Sequence, residues 1–341
     1  MQPMPVTVSE KLKHYWENKK NEPRINTDVK KNEGGDIIPA IRSIKMESIL
    51  ERIKKGETLI ADGAMGSLLM DRAKDLIKGK CPEVINLSRP DILEEVATLY
   101  LEAGADIIQT NTFGGSPLKL SDYSLEEKTE EINRTAVEAV KKVVERKAYV
   151  SASCGPSGKM LKPYGTVDPD AMYENFLRQL RVVIEAGADI VCVETMIDIQ
   201  EAALAIRAAK SISPSTPVMA TMTFDKTPRG FFTMMGVNIE KAARELEAAG
   251  ADIIGSNCGN GIEDMTMIAK EYKEFTSLPL IIQSNAGLPE IKDEVVIYPE
   301  TPEFIARKSK ELAAMGVSII GGCCGTTPDH IRAIGQAVRP L

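Results

Sequence analysis

From residue 46 onward the chain alternates two patterns. Eight short apolar runs recur, each bounded by turn residues: Leu59–Ala61, Ile107–Gln109, Tyr149–Ser151, Ile190–Val193, Val218–Ala220, Ile253–Gly255, Leu280–Ile282 and Ser318–Ile320. Between them, apolar residues return at helical spacing, as over Glu126–Glu145, Ala171–Ala186 and Asn238–Ala249. Met46–Lys55 reads as a leading helix stopped by Gly56. A weak repeat marks the same rhythm. Glu102-Ala103-Gly104-Ala105-Asp106-Ile107 returns as Glu185-Ala186-Gly187-Ala188-Asp189-Ile190 and as Ala248-Ala249-Gly250-Ala251-Asp252-Ile253. Ala314-Met315-Gly316-Val317-Ser318-Ile319 is a looser copy. Each copy is a helix ending on a glycine C-cap, then a turn into the second, fourth, sixth or eighth strand.

Eight strand–helix units predict a (β/α)8 TIM barrel over residues 46–341. A doubly wound open sheet would want Gly-x-Gly-x-x-Gly after the first strand, and Asp62-Gly63-Ala64-Met65-Gly66 is not that fingerprint. Residues 1–45 differ in character and read as an N-terminal extension. They carry nine Lys and Arg against six Asp and Glu, in a chain of net charge −7. Ser9–Lys20 fits a short amphipathic helix with Leu12, Tyr15 and Trp16 on one side, followed by a polar linker ending in Gly34-Gly35. This arm either docks on the barrel surface or covers the barrel mouth and recruits a partner.

Composition narrows the chemistry. Hydrophobic content of 43% and charged content of 27% are globular values. No apolar run approaches the ~20 residues that span a bilayer, and the N-terminus lacks signal-peptide order. A cytoplasmic location is therefore expected, with the six cysteines as thiols. The negative net charge argues against nucleic acid as a partner. With only His14 and His330 present, any metal must be held by sulfur or oxygen.

The barrel prediction places the active site at the C-terminal ends of the strands. The eighth run leads into Gly321-Gly322-Cys323-Cys324-Gly325-Thr326-Thr327-Pro328, with Thr327 and Pro328 as N-cap and first residue of a helix. Alone, such a cysteine pair also fits two core residues or a vicinal disulfide. Cys258 ends the sixth strand and supplies a third thiolate across the rim, and three thiolates with one open position suit Zn²⁺. Cys154 lies on the opposite wall, Cys192 falls inside the fourth strand, and Cys81 sits in a loop without an obvious partner. Asp62 and Glu194 end the first and fourth strands. Either carboxylate alone fits a helix cap as well. Together with an open metal they suit a zwitterionic amino acid that carries a thiol, with glycine-turn amides for its carboxylate.

These motifs carry a resemblance. Asp62-Gly63-Ala64-Met65-Gly66, Thr110-Asn111-Thr112-Phe113-Gly114, Asn257-Cys258 and the Gly321–Pro328 segment make the chain similar to the homocysteine S-methyltransferase family, from about Leu59 to the C-terminus. Met222–Asp225, Asn285-Ala286-Gly287-Leu288-Pro289 and Val296-Ile297-Tyr298-Pro299 resemble most the homocysteine-binding module of cobalamin-dependent methionine synthase. The resemblance implies that Cys258, Cys323 and Cys324 bind zinc and act in catalysis. It implies that Asp62, the turn Gly63, Ala64 and Met65, and Glu194 hold the amino-acid end of homocysteine, with Asn111 in the same pocket. Asn285 is either the fourth zinc ligand until substrate displaces it, or a turn residue.

The implied reaction is methylation of a zinc-held homocysteine thiolate to methionine. No folate-binding barrel and no corrinoid-ligating Asp-x-His-x-x-Gly motif occur in the sequence. A methylcobalamin or other methylcorrinoid donor is therefore expected on a separate corrinoid protein. The alternatives are a small onium donor, S-methylmethionine or betaine, or a non-catalytic zinc barrel that docks a corrinoid protein. A phosphate-binding barrel is disfavoured, since no Lys or Arg accompanies the cysteine turn. An onium donor would want an aromatic cage, for which Phe113, Tyr164, Phe224, Phe231 and Phe232 are the rim candidates.

Overall fold

The computed structural model of the chain describes residues 46–77, 81–292 and 295–339. The N-terminal arm expected over 1–45 lies outside the described residues. Eight parallel strands form the frame: β1 Leu59–Ile60, β2 Ile107–Gln109, β3 Tyr149–Cys154, β4 Ile190–Met196, β5 Val218–Met222, β6 Ile253–Asn257, β7 Leu280–Ser284 and β8 Ile319–Gly322. They hydrogen-bond in the order β1-β8-β7-β6-β5-β4-β3-β2. A parallel bridge from Ala61 to Ile107 joins β1 to β2, which brings the sheet round into the expected barrel. The strands are buried on both faces, so they read as continuous Ile- and Val-rich runs rather than as alternation.

Local chemistry sets where the helices start. Ser48 and Glu51 form a capping box on Ile49–Lys54. Asn238 caps Ile239–Ala249 through the N–H of Lys241, and Thr301 caps Pro302–Ala314. Thr327 and Pro328 open the last helix, Pro328–Val338, as the sequence predicts. There the Nδ1 of His330 accepts the N–H of Thr327 at 3.1 Å, so the ring carries its proton on Nε2 and donates it to the carbonyl of Glu300 at 3.0 Å. Both histidine nitrogens are thereby structural.

The repeat does more than end helices. Its glycines 104, 187, 250 and 316 take positive φ, as glycine C-caps do. Its aspartates each clasp one residue at the start of the preceding strand. The N–H of Ile60 reaches Asp106 Oδ2 at 2.8 Å, that of Val150 reaches Asp189 Oδ2 at 2.9 Å, and that of Val218 reaches Asp252 Oδ2 at 2.7 Å. In return each aspartate donates its own N–H to the carbonyl of the same residue. The fourth copy has Ser318 and keeps only the backbone half, to Leu280.

Element edges shift from expectation by a few residues. The leading helix begins at Ile49, where Ser48 caps it. A 3-10 turn, Glu126–Lys128, precedes the helix Thr129–Val144. Two small antiparallel hairpins were not legible as strands: Asp225–Thr227 with Gly230–Phe232 after β5, and Glu290–Lys292 with Val295–Ile297 after β7. No helix among the described residues is long and apolar enough to cross a membrane.

Candidate active site

The site lies at the C-terminal strand ends. Neighbouring residues on a strand face opposite sides, yet Asn257 and Cys258 both serve the same cluster. Cys258 adopts φ +59, which breaks the alternation as β6 ends. Its Sγ then stands 3.8 Å from that of Cys324. The three sulfurs of Cys258, Cys323 and Cys324 lie within 4.8 Å of one another. A Zn–S bond of about 2.3 Å gives a tetrahedral S–S edge of about 3.8 Å, so the donor set fits zinc in both type and spacing. The thiols share their protons: S–H groups of Cys323 and Cys324 hold the Cys258 sulfur well below the usual thiol range, while those two are pushed up.

The turn carrying the pair is rigidly seated. Gly325 has φ +78, and a Cβ there would stand 2.1 Å from the ring of Tyr298. Thr326 Oγ1 donates to the carbonyl of Cys323 at 2.7 Å and accepts the N–H of Ala64 at 3.2 Å. The Gly63–Met65 turn is thus fastened to the cysteine turn, with the Ala64 N–H taken up by that bond. Met65 opens the helix Met65–Ile77. Asn285 stands beside the cysteines, its Oδ1 accepting the N–H of Cys324 at 3.1 Å. One oxygen lone pair remains for any further role.

The carboxylates are fully enclosed by neighbours. Asp62 is 0% and Glu194 5% exposed. Asp62 Oδ2 accepts the backbone N–H of Gln109 at 2.8 Å, while Oδ1 is buried without a hydrogen-bond partner among the described residues. Burial pushes Asp62 up to about 8; the Gln109 N–H opposes the shift and the nearby Glu194 adds to it. Burial likewise pushes Glu194 up to about 7, against the pull of the Ser153 hydroxyl, which donates to its Oε1. Buried carboxylates with raised pKa and an unused oxygen suit a cationic substrate group.

The other candidate residues make different contacts. Asn111 donates its amide to the carbonyl of Pro82 at 3.1 Å and to Asn86 Oδ1 at 2.7 Å, so those hydrogens brace a loop. Cys154 is buried with its Sγ toward Gln179, and burial pushes its thiol up. Cys192 is buried in β4. Cys81 does find company: it packs with Leu120 and Ile132 in a small core cluster.

Sequence reasoning missed three supports. Glu83 Oε1 accepts the N–H of Gly114 at 2.6 Å, and Glu201 Oε1 that of Ser157 at 2.8 Å, each a buried carboxylate fixing a rim loop. Asn257 was visible only as the neighbour of Cys258, yet its side chain touches both the carboxylate and the cysteine halves of the site. Only the three-dimensional packing of β4, β5, β6 and β8 shows this.

A family model for homocysteine S-methyltransferase matches residues 59–338. The chain belongs to this family. The methionine synthases of Mycobacterium leprae (strain TN) and Mycobacterium tuberculosis (strain ATCC 25618 / H37Rv) are 32% identical to it over 309 and 298 residues. Those matches cover 86% and 83% of this chain, and 25% of each relative. The chain thus spans about a quarter of the length of these relatives. Among solved structures, the metallated form of the homocysteine methyltransferase MmuM from Escherichia coli superposes with a TM-score of 0.70. It is 22% identical, over 84% of this chain and 98% of that one, and it shares the barrel fold.

Proposed function

We propose that the chain methylates the sulfur of homocysteine to give methionine, with Cys258, Cys323 and Cys324 holding zinc. The observation that carries this reading is the cysteine triangle set beside two buried carboxylates, with Asp62 Oδ1 left without a partner. Zinc there would lower the thiol pKa and keep the substrate sulfur as a thiolate at neutral pH. Asp62 and Glu194 take the ammonium group and, in doing so, lose the protons that burial gives them. The Gly63–Met65 turn faces the substrate carboxylate. Thr326 holds that turn in register with Cys323, which fixes the distance between the amino-acid end and the sulfur. A reducing cytoplasm keeps the three thiols free to bind metal.

A methylcorrinoid carried by a separate protein is the donor in this reading. The aromatic candidates for an onium cage are divided: Phe113 and Tyr164 are exposed, and the other three are packed or stacked by neighbours. Phe224 is buried against Tyr272, Phe231 is buried, and Phe232 is stacked by Arg229. The barrel of residues 46–341 is the catalytic unit, and the arm of residues 1–45 an extension to it. The test gives the zinc-loaded protein homocysteine with methylcobalamin, a methylated corrinoid protein, S-methylmethionine or betaine, and measures methionine. Turnover with the corrinoid donors is expected. Efficient turnover with an onium donor alone would replace the donor and leave the homocysteine half standing.

A further inference from the structure

Asn257 sits at the end of β6, 0% exposed, where three other strands bring it partners. Its Oδ1 accepts the backbone N–H of Thr195 at 2.8 Å and the hydroxyl of Thr221 at 2.7 Å. A backbone N–H can only donate, so this pairing fixes which way the amide faces. The Nδ2 group must then point to the other side. There it meets Thr195 Oγ1 at 2.8 Å, Glu194 Oε2 at 3.3 Å and Cys323 Sγ at 3.8 Å. Its two hydrogens are shared among three acceptors, two of which belong to the chemistry of the site. Thr195 itself holds φ +59, a strained conformation for a β-branched residue. The acceptor half of the amide steadies that backbone, and the donor half reaches Glu194 and Cys323.

We propose that Asn257 is a positioning residue that links the carboxylate recognising the substrate ammonium group to the cysteine that holds the metal. The inference rests on the zinc–homocysteine reading above. Its physical basis is that an N–H donor to a metal-bound thiolate orients the ligand, and partners of this kind affect metal affinity about 10–100-fold. The same N–H group holds one oxygen of Glu194 while Ser153 holds the other. Loss of the donor half therefore loosens both ends of the substrate site at once, and loss of the acceptor contact from Thr221 does not.

The experiment uses cobalt(II) as the metal probe and no methyl donor. Metal affinity is measured by chelator competition, and thiol binding by the change in the cobalt spectrum. Asn257→Ala is expected to weaken cobalt binding by about tenfold or more and to shift the thiolate-to-cobalt band. Homocysteine affinity is expected to fall about tenfold, and affinity for 1-propanethiol, which lacks the amino-acid end, much less. Thr221→Val is the control, expected within about twofold of wild type on every reading, since it removes a contact to Oδ1 only. If Asn257→Ala does not fold, Asn257→Asp keeps the shape and the oxygen facing Thr195 while replacing the donor group. The same losses are expected there. Wild-type affinities for cobalt and homocysteine in a folded Asn257 variant would overturn the inference, as would equal losses for homocysteine and propanethiol. Wild-type protein that binds cobalt but not homocysteine would instead refute the substrate reading on which it rests.

Discussion

Asp62 and Gln109 are joined through one oxygen only: the Gln109 N–H reaches Oδ2 at 2.8 Å, and Oδ1, equally buried, has no hydrogen-bond partner among the described residues. An ionised carboxylate in that position lacks solvation, so the free site favours the protonated form. On the proposed homocysteine reading, the substrate ammonium reverses this preference. Burial therefore raises the proton affinity of the ligand-free pocket.

The pH dependence of stability follows from that relationship. Asp62 at about 8 and Glu194 at about 7 both lie above their unfolded values. A group raised on folding gives stability that is full below its unfolded pKa and is lost as pH rises through the folded one. In metal-free, homocysteine-free protein, Tm is expected to fall between about pH 4 and 8. Calorimetric melts of Asp62→Asn should show a shallower fall. Parallel curves for the two proteins would mean that Asp62 is ionised in the free site.

Metal content is the second measurement. About one zinc per chain is expected, with Cys323→Ser or Cys324→Ser losing metal and activity together, since two thiolates leave too few soft ligands. Cys258→Ser should behave alike, and a fully loaded, active Cys258→Ser protein would show that the third ligand lies elsewhere.

Substrate recognition is tested at Glu194. Glu194→Gln is expected to weaken homocysteine binding by about 2–5 kcal/mol through loss of a desolvated ion pair, with zinc content unchanged. Unaltered affinity by titration calorimetry would give Glu194 a structural role.

The glycine turn offers a fourth test. At Gly325, φ is +78 and a Cβ would press into the Tyr298 ring at 2.1 Å. Gly325→Ala is expected to cost about 1–3 kcal/mol from backbone strain alone and to lower zinc occupancy, because the turn carrying Cys324 must move. Gly335 lies in the last helix with nothing within 4 Å of its added Cβ. Gly335→Ala is expected to raise stability by about 0.5–1 kcal/mol. Equal melting temperatures for the two variants would refute the crowding argument.

The strand frame was legible because each buried run is short, branched and bounded by turn residues, and because the repeat counted the even strands. The cysteine site was legible because strand ends of a barrel share one rim, so Cys258, Cys323 and Cys324 could be associated without contact information. The hairpins escaped notice because segments such as Asp225–Thr227 are polar and exposed, with no buried face to impose a period. The Nδ2 hydrogens of Asn111 turn to Pro82 and Asn86, a pairing the sequence does not show. Side-chain direction at a strand end depends on the local turn, as the φ of +59 at Cys258 shows, and one-dimensional spacing does not encode that.

The clasping aspartates predict where stability can be lost without harm to chemistry. Asp252 Oδ2 receives both the Val218 N–H at 2.7 Å and Lys210 Nζ at 2.6 Å. Asp252→Asn is expected to destabilise the fold by about 1.5–3 kcal/mol, the range for hydrogen bonds to a charged group. Zinc and homocysteine affinities should stay at wild-type values. A matching loss of zinc affinity would tie the two ends of the barrel together.

Those clasps sit where strands begin, and the three cysteines and buried carboxylates sit where strands end. Asp106 is held there by Arg52 and Arg339, and Asp252 by Lys210. The β1–β2, β3–β4 and β5–β6 junctions are thus each fastened at the base by an aspartate that is not part of the mouth. Loops above the cysteines can lengthen, shorten or change sequence without touching these three clasps. A lineage can refit the opening while the hoop at the base remains as it was.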